Sequence, residues 1–71
     1  MTRDEWIEAF ARELGAEPPT PEQAEQLLAL AGTAAHSSER TAAPLACWVA
    51  GRAGASVAEF LAAAERVNQS S

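Results

Sequence analysis

The densest group of side chains able to bind or transfer anything is His36, Glu39, Arg40 and Thr41, just ahead of Ala42-Ala43-Pro44-Leu45. Its chemistry would be anion binding. A helix opening near Thr41 presents amides without intrahelical partners at the positive end of its dipole. Arg40 can add a bidentate contact, and His36 a donor or a proton carrier. Arg52, further along the same segment, could reach the same edge. A purely structural role accounts for the same residues. At the end of a helix, the His36 imidazole complements the last carbonyls and the negative dipole end, while Arg40 ties the loop to Glu39 or to backbone carbonyls.

No catalytic set stands beside this group. Cys47 and His36 could form a thiol nucleophile and its base, but Ala46 and Trp48 flank the cysteine in an apolar segment, where a thiol acts as a small hydrophobe. Asp4-Glu5 and Glu22/Glu25 fall in first turns, where carboxylates complement the helix dipole. Gly51-x-x-Gly54 lacks the preceding strand, the further glycines and the lysine of a phosphate loop, and reads as helix termination or close packing. One cysteine and one histidine cannot make a structural zinc site or an internal disulfide. No cofactor or metal is expected, and the chain is not expected to be an enzyme.

Composition narrows the classes further. Seventy-one residues make one domain, 1–71, and 18 of the 34 hydrophobic residues are alanine. A chain of this length buries only about 60% of its unfolded surface. Doubly wound, barrel and two-domain architectures are excluded by length and by the small stock of large apolar side chains. Ten acidic residues against five arginines give a net charge of −5, which disfavours nucleic acid and anionic lipid surfaces. The amino terminus lacks the basic-then-apolar order of a signal peptide, and no apolar run reaches the roughly eighteen residues of a membrane span. A soluble, cytoplasmic protein is expected.

The elements that must position these residues are helical. Thr2 with Glu5, Thr20 with Gln23 and Ser56 with Glu59 each read as a capping box, and Pro21 suits a first helical position. Gly15 and the Gly51–Gly54 stretch supply stops, and Pro18-Pro19 forbids continuation between the first two helices. Apolar spacing predicts helices over about 3–14, 21–36, 42–53 and 57–67, with 68–71 a frayed tail. The expected buried stripes are Trp6, Ile7, Phe10 and Leu14; Ala24, Leu27, Leu28, Ala31, Ala34 and Ala35; Leu45, Trp48 and Val49; and Val57, Phe60, Leu61, Ala64 and Val67. Gly32, inside the second, could admit a closely approaching neighbour. The fold class is all-α, a compact bundle of four short helices, with Trp6, Phe10, Trp48 and Phe60 as its expected centre. An exposed Trp48 would instead anchor a partner protein, because aromatic side chains concentrate interface energy. A homodimer pairing helix faces through Trp48 is equally open.

Trp6, Glu13-Leu14-Gly15, Leu27-Leu28-Ala29-Leu30-Ala31, Ala35-His36, Arg40, Ala42-Ala43-Pro44-Leu45 and Ala50-Gly51 together resemble a small actinobacterial helical domain of unknown function. That domain occurs alone or appended to molybdenum-cofactor guanylyltransferases, and the resemblance spans about residues 6–67. Its most specific part is Ala-His, then Arg, then Ala-Ala-Pro-Leu. Thr41 stands where the resemblance leads one to expect proline. The resemblance implies context rather than chemistry, since the nucleotide loop and metal-binding acid of the transferase domain are missing here. Together with the missing catalytic set, the small size and the aromatic and alanine-rich helical faces, that context points to a non-enzymatic accessory domain that binds a protein partner in molybdenum-cofactor biosynthesis or molybdoenzyme maturation. The alternative is a small-anion or nucleotide-phosphate module built on His36, Arg40, Thr41 and Arg52.

Overall fold

Thr2 is extended, and its Oγ1 accepts the Glu5 amide at 3.1 Å while its own amide donates to Glu5 Oε1 at 2.8 Å. This reciprocal box opens α1 (Arg3–Leu14) in the computed structural model. The structure describes residues 1–54 and 56–70, with the side chains of Val57 and Ser70 outside the described set. The Thr2 amide, donating to the carboxylate, holds the Glu5 carboxyl below its ordinary value, and the Thr2 hydroxyl contributes next. Gly15, at φ +67°, ends α1: its amide reaches the Arg12 carbonyl at 3.1 Å, and the Ala16 amide reaches the Ala11 carbonyl at 2.9 Å. These two bonds are the Schellman pattern, and they require the left-handed conformation that glycine adopts without steric cost.

Thr20 and Gln23 repeat the box at 3.1 and 2.9 Å and open α2 (Pro21–Ser37), with Pro21 at its first position. α3 (Ala42–Ala53) has no side-chain cap; it grows from a turn in which Ala42 donates to the Glu39 carbonyl and Ala43 to the Arg40 carbonyl. Gly54, at φ +66°, stops it. Ser56 Oγ accepts the Glu59 amide at 3.2 Å ahead of α4 (Val57–Ser70). The four-helix, all-α architecture holds, with no strand among the described residues. α2 closes at Ser37 and α4 runs on through Ser70, so residues 68–70 are helical rather than a frayed tail. Ser71 lies outside the described residues.

α2 is the spine. The extensive helix pairings are α2 with α3 and α2 with α4; neither α1 with any helix nor α3 with α4 makes a comparable one among the described residues. Leu30 on α2 is 4% exposed, and the other buried residues described are two alanines, Ala11 and Ala50. Leu30 was not on the expected α2 stripe, whereas Leu28, which was, is exposed. The buried face centres on Leu27, Leu30, Ala31 and Ala34, one helical step round from Leu28.

The expected aromatic centre is not observed. Trp6 is 53%, Phe10 49% and Trp48 65% exposed, and only Phe60 is half-buried. The cause lies in how α1 is seated. Asp4, Ile7 and Glu8 line a small cleft with Pro18, Pro19 and Pro21, so α1 meets the start of α2 with its Ile7 flank. Trp6 and Phe10 stack on each other, with centroids 5.1 Å apart. The burial expected of Val57 lies outside the described residues. The molecule measures 39 × 22 × 18 Å and exposes 5623 Å², against about 4,200 Å² for an ordinary monomer of its size.

Gly32 admits no close neighbour either: a Cβ placed there would meet nothing within 4 Å. It is therefore only a weak point in α2, where alanine is better by about 1 kcal/mol. Gly32→Ala should raise the thermal midpoint by about 4–8 °C in calorimetry. An unchanged or lower midpoint would show that the position carries a constraint the packing does not reveal.

Candidate functional site

The polar cluster is distributed as follows. His36 lies in the last turn of α2, and Arg40 and Thr41 in the turn that follows; all three are exposed. No hydrogen bond or ion pair joins their side chains. The amides that would grip an anion are already committed. Ala42 and Ala43 donate to the Glu39 and Arg40 carbonyls at 2.8 and 3.2 Å, and Pro44, next in line, has no N–H. Thr41 is in the α-region and makes no side-chain cap.

Arg52 does not join this cluster. It sits in the last turn of α3, about 16 Å along the helix from Thr41. There its guanidinium lies 5.2 Å from the Trp48 ring centroid, one helical turn back. The groove at the start of α3 is lined by Leu30, Thr33, Ser37, Ala42 and Val67 among others, and by none of His36, Arg40 and Thr41. The structure thus leaves His36, Arg40 and Thr41 as a solvated turn and turns Arg52 to an aromatic neighbour.

What the geometry does assemble is apolar. Leu45 and Trp48 lie on the outer face of α3 with Arg52, at 67% and 65% exposure, and Val49 borders them. Round the helix, Ala46, Val49, Ala50 and Ala53 face a groove of about 520 Å³ between α3 and α4, floored by Leu30 and walled on the far side by Phe60, Ala63 and Val67. Sequence reasoning placed Trp48 in the expected centre, with its exposure as the alternative, and missed the groove. Its signal is the run of alanines at inward positions of α3 and α4, whose side chains are too short to bring the two helices together. Cys47 is half-buried and carries a free thiol. Among the described residues no group of three or more histidine, cysteine, aspartate or glutamate side chains could hold a metal ion. No helix among them is long and apolar enough to cross a membrane.

With the α3 amides committed, titrating inorganic phosphate should leave the amide resonances of residues 41–46 in place up to millimolar concentration. A saturable shift there, lost on Arg40→Ala, would contradict this reading.

No curated protein and no solved structure matches the chain. The family described as "Domain of unknown function (DUF6457)" matches residues 1–71, the whole sequence, and the chain belongs to that family.

Proposed function

We propose that the chain is a non-enzymatic accessory domain that binds a protein partner. The observation that supports this is the outer face of α3, where Leu45 and Trp48 stand in solvent beside Val49. Leaving an indole and two branched aliphatic side chains in water on one helix face forgoes the burial that folding normally secures. Tryptophan and arginine are also the residues that dominate protein interfaces, and here Arg52 already lies over the Trp48 ring. That contact limits the freedom of both side chains, so less entropy is lost when a partner orders them.

The biological setting is molybdenum-cofactor biosynthesis or molybdoenzyme maturation in the cytoplasm. It rests on the resemblance of Ala35-His36, Arg40 and Ala42-Ala43-Pro44-Leu45 to the domain appended to guanylyltransferases. In this reading the partner performs the chemistry and the four-helix chain supplies a docking face.

Titrating labelled protein with a molybdenum-cofactor guanylyltransferase or a molybdoenzyme chaperone tests the proposal. Shift perturbations should centre on Leu45, Trp48 and Val49, and Trp48→Ala should weaken binding by about thirtyfold or more. No perturbation with either protein at any accessible concentration would reject the molybdenum setting. Perturbation confined to residues 36–41 would reject the docking face.

A further inference from the structure

The charge of the chain is concentrated at one end of its sequence. Seven of the ten acidic side chains and two of the five arginines lie in residues 1–25, so the whole net charge of −5 belongs to α1 and the start of α2. The remaining residues balance at three of each sign. The same end carries an apolar face that no helix covers. Trp6, Phe10 and Leu14 recur every fourth residue along α1, exposed, with Trp6 and Phe10 stacked on each other. Among the described residues α1 makes no extensive pairing with another helix, and its Ile7 flank is seated against Pro18, Pro19 and Pro21.

Charge and ridge meet on one helix. Glu5, Ala9 and Glu13 repeat at the same four-residue spacing, one residue ahead of the ridge and so about 100° round the helix from it. A carboxylate therefore borders each end of the ridge, Glu5 next to Trp6 and Glu13 one turn beyond Phe10. Glu13 makes no hydrogen bond or ion pair among the described residues, and Glu5 gives one oxygen to the Thr2 amide. Neither arginine of this end is set against them. Arg3 is paired with Asp4 at 2.9 Å, and Arg12 falls nearly opposite the ridge.

We infer that the Trp6/Phe10/Leu14 ridge docks a basic amphipathic helix of another protein, with its apolar stripe on the ridge and its lysines or arginines over Glu5 and Glu13. Charge selects the occupant. A second copy of this chain would bring the same net charge of −5 to an acidic face, and like charges brought together oppose association. A neutral or acidic helix would take Glu5 and Glu13 out of water with nothing to pair them. A basic one pairs both, and the summed field of the carboxylates at this end steers it in. Shape selects a helix. A row of side chains repeating every fourth residue fits the groove between the rows of a second helix, and Trp6 to Leu14 offers about 12 Å of it. The ridge is a different face from Leu45, Trp48 and Arg52 on α3, and it calls for a cationic partner where that face does not.

A lysine–leucine amphipathic peptide of about fourteen residues, roughly four helical turns, is the probe. A glutamate–leucine peptide with the same apolar pattern is its control. In the Trp48→Phe protein Trp6 is the only indole, so fluorescence reports the ridge. The lysine peptide should move the Trp6 emission to the blue and shift the amide resonances of residues 5–14. The glutamate peptide should do neither. Glu5→Gln and Glu13→Gln should each weaken binding by about threefold. Glutamine keeps the capping box intact, as Gln23 does in α2. Phe10→Gln should weaken binding by about tenfold or more. Raising salt from about 50 to about 500 mM should weaken it as well. Far-UV circular dichroism checks that each variant folds; if Phe10→Gln does not, Leu14→Gln replaces it. No response to the lysine peptide at millimolar concentration overturns the proposal. So does an equal response to both peptides, or amide shifts centred on residues 45–52. Trp6 emission that moves to the blue with protein concentration alone would put a second copy on the ridge and overturn it too. Because the fluorescence is read with Trp48 replaced, failure here leaves the α3 docking face standing.

Discussion

Everything in this fold depends on what α2 can bury. The extensive helix pairings both run through it, and Leu30 is the one large side chain among the described residues that is nearly sealed from water. Alanine is what makes this arrangement possible and what limits it. Methyl side chains let α3 and α4 lie close against α2, since interaxial distance follows the size of the side chains at the contact. The same methyls at Ala46, Ala50, Ala63 and Ala64 cannot bridge from α3 to α4, and a groove stays open between them. α1 does not fill it, because its Ile7 flank is seated against Pro18, Pro19 and Pro21.

The proposed docking role follows from that shortage. Burying apolar surface is the main favourable term in folding, and a chain that leaves several of its largest apolar side chains half or more exposed has left much of it unused. α3 divides the consequences between two faces more than a third of a turn apart: Ala46, Ala50 and Ala53 line the groove, and Leu45, Trp48 and Arg52 face solvent. The exposed turn at residues 36–41 offers no comparable concentration of binding energy, with its nearby amides turned to their own carbonyls.

How much could be read from the residues differs between local and long-range features. The boxes at Thr2/Glu5 and Thr20/Gln23, Pro21 at a first position and the left-handed Gly15 were all legible, because each is settled by bonds within a few residues. The aromatic centre was not. The spacing of Trp6, Phe10 and Leu14 identifies a face to be buried without saying which molecule buries it. For α2, an alanine-rich helix offers several nearly equivalent stripes, so spacing alone points Leu28 inward where Leu30 holds that place. At the candidate site, the residue types of an anion cradle were present. What sequence could not show was that Ala42 and Ala43 would spend their amides in the preceding turn, or that Arg52 would fold back over Trp48.

On the proposed reading this chain leaves apolar surface for another molecule to cover, and the heat capacity of unfolding measures that surface. A 71-residue domain that buries its own core unfolds with an increment of about 0.9–1.1 kcal/mol/K. Calorimetry of this chain should give clearly less. A full increment would mean that the chain covers its own apolar faces and leaves none for a partner.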